Sequence, residues 1–291
     1  MFNKAAIIGI GMIGSSIAMN LKRHNLTETL SVCDTDLGYI KQAYEMHLAD
    51  EYEYDAARAV EDADIVIICT PVKTFGAIAE KICPVMKKKA ILTDVGSVKA
   101  EVIREIVPHL RKDIYFVPAH PVAGSEKSGP AAGDADVFEG RWNIVTPLME
   151  YTNETAILTV KRMWEAFGMR MTEMTPEHHD RNMAIVSHLP HFLAYNMVYT
   201  ASKIEKEMDR EIIKYSAGGF RDSTRMAGSS PEMWRDIFMS NEEALFETLD
   251  AYIDNLLYLK DLIRKKDGDR LLELFTKTRE IRAKVVAVKQ N

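Results

Sequence analysis

Short apolar runs ended by glycine, proline or aspartate recur through the first 173 residues, with helical patterns between several of them. Lys4–Ile10, Leu30–Asp34, Asp64–Thr70, Ala90–Asp94 and Ile114–Pro118 read as strands. Their near-continuous apolar character fits burial on both faces. Asn143–Thr146 and Met169–Thr172 extend the series, and Met12–Arg23 carries a helical pattern directly after the first strand. The alternation predicts an α/β unit with a mainly parallel sheet covered on both faces.

From about Thr175 the pattern changes. Thr175 is a good N-cap, and Pro176 suits the first helical position. Only helical periodicity follows. Leu245, Leu249, Tyr252, Ile253, Leu256, Leu257 and Leu259 recur at helical spacing within Asn241–Lys265. Gly268 is expected to break that run before a last helix over Leu271–Val288. The prediction is therefore a Rossmann-type α/β domain over 1–173, followed by an all-helical domain over 174–291. The long apolar faces of the last helices predict a homodimer built through them.

Hydrophobic residues make up 47% and charged residues 27% of the 291, ordinary values for a globular chain. The net charge of -6 argues against nucleic acid and anionic membrane surfaces as partners. No apolar run approaches a membrane-spanning length, and no secretory signal opens the chain. Cys33, Cys69 and Cys83 fit neither a metal knuckle nor a redox pair. They read as buried free thiols in a reducing, cytoplasmic compartment.

The candidate chemistry begins at Gly9-Ile10-Gly11-Met12-Ile13-Gly14, a dinucleotide fingerprint between a predicted strand and a predicted helix. Gly9 makes the tight turn, Gly11 admits a pyrophosphate to the backbone, and Gly14 lets helix and strand pack closely. The N–H groups of the helix start, at Met12 and Ile13, then face the phosphates. Asp34, twenty residues beyond Gly14, can accept ribose hydroxyls and repels a 2′-phosphate. Thr35, Asp36 and Leu37 follow it without an arginine, so NAD is favoured over NADP.

Thr70-Pro71, Asp94–Ser97 and the segment His120–Gly129 also follow predicted strands, and should converge with the glycines on one sheet edge. The His120 segment reads as a shaped loop carrying an imidazole, a hydroxyl (Ser125), a carboxylate (Glu126) and an ammonium (Lys127).

In the helical half, His178 and His179 invite a metal reading. Adjacent helical residues point about 100° apart, and no His-Glu-x-x-His pattern is present, so no metal is expected. Asp180, Ser187 and His191 are spaced to share a helical face. This makes His191 the ligand candidate and His188 the structural histidine. Pro190 should kink the helix. Gly218-Gly219 reads as a flexible lead-in to Arg221 and Arg225, two guanidinium groups suited to anion capture. Trp234, in a helix capped by Ser230, packs in the core or walls a pocket.

Together these motifs resemble the prephenate/arogenate dehydrogenase family across nearly the whole chain. The resemblance is carried by the glycine fingerprint, Cys69-Thr-Pro-Val, Asp94-Val-Gly-Ser-Val-Lys99, His120-Pro-Val-Ala-Gly-Ser-Glu-Lys-Ser-Gly, Ser187-His-Leu-Pro-His and Gly219-Phe-Arg-Asp-Ser-Thr-Arg. It implies an NAD-dependent oxidative decarboxylation of prephenate to 4-hydroxyphenylpyruvate, in tyrosine biosynthesis. By resemblance, His120 accepts the proton of the C4 hydroxyl, and Ser97 orients His120 or the nicotinamide. Ser125 and His191 contact substrate, Arg225 recognises a carboxylate, and Glu126 and Asp222 pair with that arginine and gate the site. Ser187 and Asp180 support, and Lys127 carries no assigned role. Neither an appended regulatory domain nor a chorismate mutase module is expected, so any inhibition by tyrosine would act at the active site. The rival readings are arogenate dehydrogenase, another two-domain hydroxyacid dehydrogenase, and a non-catalytic NAD-sensing protein that would not need His120, Ser97 and Arg225 together.

Overall fold

The computed structural model describes residues 2–124, 127–208, 211 and 213–287. Six strands, β1 (Phe2–Ile8), β2 (Thr27–Cys33), β3 (Glu51–Glu53), β4 (Ile65–Ile68), β5 (Ile91–Asp94) and β6 (Tyr115–Val117), form one sheet in the order β3-β2-β1-β4-β5-β6. Every pairing in it is parallel. Side chains alternate between two cores. Ala5, Ile7, Ile65 and Ile67 face one that contains Phe138 and Trp164. Ala6, Ile8, Val66 and Ile68 face the other, with Phe75 and Phe116. Burial on both sides explains why these strands read as unbroken apolar runs.

The order reverses between β1 and β4, which opens a crevice beyond their carboxyl ends. Gly9 stands in that crevice with φ +97°, and a Cβ there would lie 2.8 Å from the Cys69 backbone. A Cβ on Gly14 would run into the carbonyl oxygen of Gly9, so the helix Met12–Arg23 can pack this close only with glycine.

Two expectations need correction. His120 is not in a loop: Ala119–Pro121 is a short strand, β7, antiparallel to β8 (Trp142–Val145), which pairs in parallel with β9 (Arg170–Glu173). These three make a second small sheet rather than extending the first. A strand this short, ending in a proline, is created by its partner rather than by its own pattern. Likewise, Gly218 and Gly219 lie within the helix Gly218–Thr224 rather than in a flexible lead-in.

From Pro176 on, the described residues are helical or irregular. Thr175 caps the first of these helices by accepting the His178 N–H. Helices Glu242–Lys265 and Gly268–Ala287 are separated by Lys266 at φ +55°, so Lys266, not Gly268, makes the break. Phe246, Ile253, Leu257, Ile263, Leu272 and Phe275 leave broad apolar faces on this pair exposed. No described helix is long and apolar enough to cross a membrane.

Candidate active site

The helix Met12–Arg23 starts at Gly11 without a side-chain cap and without an acidic residue in its first turn. Its leading N–H groups are thus available to an anion. A Cβ on Gly11 would meet nothing within 4 Å, so the glycine borders open space a ligand can enter. Asp34, at the end of β2, receives the Ile10 N–H at 2.9 Å and the Asp36 N–H at 2.9 Å, which ties it to the glycine turn. Thr70 closes the other side, with its methyl against Gly9 and its hydroxyl 2.7 Å from that of Thr74. Pro71 follows it, exposed. These groups fit a dinucleotide: open backbone at the phosphates and a carboxylate at the ribose position.

The chain beyond His120 crosses this helix start. Gly124 approaches the side chain of Met12, and the Asp134 N–H donates to Ser16 Oγ at 3.0 Å. Ser125 and Glu126 lie outside the described residues.

His120 is buried, and its Nδ1 lies 2.8 Å from Nε2 of His179. His179 Nδ1 lies 2.7 Å from Oδ1 of Asp180. Asp180 also accepts the N–H groups of Lys99, at 2.7 Å to Oδ1, and Ala100, at 2.9 Å to Oδ2. Every group around this carboxylate is a donor. His179 must therefore carry its proton on Nδ1 and accept at Nε2. His120 in turn donates from Nδ1, and its Nε2 keeps a lone pair. This three-residue relay fixes His120 as a proton acceptor.

The electrostatics agree. Burial, helped by the nearby His179, Lys99 and His188, holds His120 well below the ordinary histidine range. Burial takes His179 down to about 2, with Lys99 and His188 adding to it. Burial pushes the Asp180 carboxyl up, against the N–H groups of Lys99 and Ala100 and the Lys99 charge, which favour the carboxylate. With three donors on its two oxygens, a neutral acid there would set one O–H against another donor, so we take Asp180 as ionised at neutral pH.

The helical wall is built on aromatic stacking. His191 lies on Trp234 with centroids 3.6 Å apart and planes at 20°, and its Nδ1 donates to the Ser187 carbonyl at 2.9 Å. Trp234 in turn packs with Val98 and Ile237, which seats this wall beside Ser97. Burial lowers His191, and the charge of Arg225 lowers it further, so Arg225 lies within electrostatic reach. Arg221 is largely exposed, 4.0 Å from Asp222. His188 is fully buried, accepts at Nδ1 from Asn241 at 3.0 Å and is held down to about 4 by burial.

The structure thus gathers Gly9, Gly11, Gly14, Asp34 and Thr70 around one turn, sets His120 on His179, and sets His191 on Trp234, which packs on Val98, the neighbour of Ser97. The helical-face argument grouping Asp180 with Ser187 and His191 fails. Ala184–His188 is a π-turn, which rotates the later residues away from the α-helical phase, and Asp180 points back to the start of helix Lys99–Ile106. Sequence reasoning missed His179 and Lys99. The available signals were a histidine beside a carboxylate and a lysine following a buried strand end.

A doubly wound sheet with an open glycine turn, next to a histidine fixed to accept a proton, defines a two-domain nucleotide-dependent oxidoreductase. The family model described as "Prephenate dehydrogenase, nucleotide-binding domain" matches residues 17–173, and "Prephenate dehydrogenase, dimerization domain" matches 175–277. The chain belongs to the prephenate dehydrogenase family. It is 41% identical over 281 residues to a cyclohexadienyl dehydrogenase of Zymomonas mobilis, covering 97% of this chain and 95% of the relative. A prephenate dehydrogenase from A. aeolicus, solved with hydroxyphenyl propionate and NAD+, superposes with a TM-score of 0.92 at 33% identity, covering 98% and 99% of the two chains. Synechocystis arogenate dehydrogenase superposes with a TM-score of 0.79 at 27% identity, covering 97% and 99%.

Proposed function

We propose that the chain oxidises and decarboxylates prephenate with NAD, giving 4-hydroxyphenylpyruvate. The observation that carries this is the relay, which leaves Nε2 of His120 as a buried proton acceptor on β7, held against the carboxyl end of β5 through Ala119 and Asp94. NAD, when bound, supplies the hydride acceptor. His120 takes the C4 hydroxyl proton as hydride leaves C4, which becomes a ketone. The ring carboxylate then departs as CO2, its electron pair aromatises the ring, and the resulting phenolate takes the proton back from His120. No net proton is released, so the histidine lends its basicity and is restored within one turnover. His191 and Arg225 wall the substrate, with Arg225 holding a carboxylate. Ser97, from the turn after β5, orients His120 or the nicotinamide in this reading, from its place in the family motif, and Ser187 supports His191 through its carbonyl. Ser125 and Glu126 are proposed as a substrate contact and a gate from their places in the family motif.

The second reading is a broader cyclohexadienyl substrate range, including arogenate, favoured by the Zymomonas mobilis relative's name. Initial rates with NAD or NADP crossed against prephenate or arogenate, followed by reduced-cofactor absorbance, separate the two. No turnover in any combination would sink both. The exposed apolar faces of the last two helices support a homodimer, checked by light scattering. Cytoplasmic location is proposed from the three unpaired cysteines.

A further inference from the structure

We infer that Lys99 is a positioning residue for this reaction, fixing both ends of the relay from one point on the sheet edge. The inference rests on His120 being the proton acceptor.

Lys99 is fully buried. Its Nζ donates to Oδ1 of Asp94 and, at 2.6 Å, to the carbonyl of Ala119. Asp94 completes the grip. Its Oδ2 accepts the Ala119 N–H at 3.3 Å, and its Oδ1 accepts the Gly96 N–H at 2.7 Å. Both polar groups of Ala119 are thus held by one ion pair, and the next residue is His120. Meanwhile the Lys99 main-chain N–H binds Oδ1 of Asp180, the far end of the relay. One residue therefore grips the backbone entering His120 with its side chain, and the carboxylate that sets the tautomers with its backbone.

A buried ion pair is a poor way to gain stability, since well-packed apolar residues do as well or better. It is a good way to define a position, because its hydrogen bonds allow one geometry. The lysine side chain holds the strand carrying His120, while its partner Asp94 also holds the Gly96 N–H beside Ser97, so loss of the ammonium should act on proton transfer more than on cofactor binding. The titratable and charged groups facing His120 are His179 from the following domain, Lys99 beneath it and His188 from the π-turn, with Asp94 one residue removed. Removing the Lys99 ammonium takes away one positive charge that disfavours the protonated imidazole.

The test compares wild-type protein with Lys99→Met and with Asp94→Asn/Lys99→Met, which deletes both charges so that neither is left buried alone. Melting curves, kcat, the KM for NAD and the pH profile of kcat/KM are read on each. Expected for Lys99→Met is a fall in kcat of about tenfold or more, an NAD KM within about twofold, and an acid limb moved to higher pH. Expected for the double variant is a folded protein with the same fall in kcat and the same NAD KM. A double variant that turns over like wild type overturns the proposal. So does one that cannot fold, which would make the pair structural. An inactive wild type would instead overturn the reading of the reaction. The positioning claim then stands or falls on histidine ring 15N spectra, which should show the tautomers of His120 and His179 altered in the double variant; unaltered spectra overturn it.

Discussion

Replacing Asp180 by asparagine removes the charge at the end of the relay while keeping its shape. The carboxylate receives three hydrogen bonds, from Lys99 N and His179 Nδ1 on Oδ1 and from Ala100 N on Oδ2. An amide offers one oxygen and one NH2, so one side must face donor to donor. If the nitrogen takes the Oδ2 place, it opposes the Ala100 N–H. If it takes the Oδ1 place, it opposes Lys99 N–H and forces His179 to accept at Nδ1. His179 then donates from Nε2, His120 Nδ1 becomes an acceptor, and the His120 proton moves to Nε2, where the lone pair was needed. Either orientation leaves a buried donor without its partner, a cost of about 1–3 kcal/mol in stability. Only the second orientation strips His120 of its lone pair, and there kcat should fall by about 10²–10⁴; the first keeps the tautomers but loses the charge that steadies the imidazolium, and kcat should fall by less. The KM for both substrates should change by about twofold at most, since Asp180 touches neither. Initial-rate kinetics and urea denaturation measure the two effects separately. A variant with wild-type kcat would refute the idea that Asp180 acts on proton transfer through the relay.

Four other outcomes are expected. His120→Asn should lower kcat by about 10²–10⁴ with little change in KM, and wild-type turnover would end its assignment as the base. Arg225→Ala should raise the substrate KM about tenfold or more, roughly 1.4 kcal/mol; an unchanged value would pass the carboxylate to another group such as Arg221. Gly11→Ala places its Cβ in open space, so thermal stability should hold while the NAD KM rises about tenfold, whereas Gly14→Ala drives its Cβ into the Gly9 carbonyl and should lose the fold itself. His120, His179 and His188 all resist protonation in the folded chain, so below about pH 6.5 the unfolded chain binds more protons. Stability is then full above that pH and falls as pH drops, by about 1.4 kcal/mol per unit for each such histidine, less the opposing effect of Asp94 and Asp180, whose carboxyls burial pushes up. Urea midpoints between about pH 7 and 5 would show the decline, and a flat profile would contradict it.

The parallel sheet was legible because strands buried on both faces leave continuous apolar runs, as at Ile65–Ile68. β3 left no such trace, for Glu51–Glu53 is a polar edge strand that exists through its pairing with β2. The cofactor end was legible because glycine is demanded by backbone geometry alone. Arginine and histidine clusters pointed to the helical wall, but not to how its parts meet. His179 was considered only as a metal ligand, and its real partners lie 59 residues upstream and one residue downstream. Lys99 entered only as the last residue of the Asp94–Lys99 motif, with no role read for it. Its burial follows from the packing of two domains, which local periodicity does not encode. The Lys266 break was hidden for another reason: a lysine occupies the left-handed conformation that a glycine normally signals.

The π-turn at Ala184–His188 also sets how this chain can change in length. A π-turn holds one residue more than the α-helical turn it replaces, so deleting any one residue there would yield a regular helix without loss of helical propensity. The shorter turn completes the same revolution, so the residues beyond it would keep their facing, His191 on Trp234 and His188 on Asn241. Exposed Ile185 or Val186 is thus a residue the segment can lose with these contacts kept. A second deletion, taken from a turn already regular, would turn everything beyond it by about 100° and pull His191 from Trp234. The π-turn is a spare residue stored in the helix.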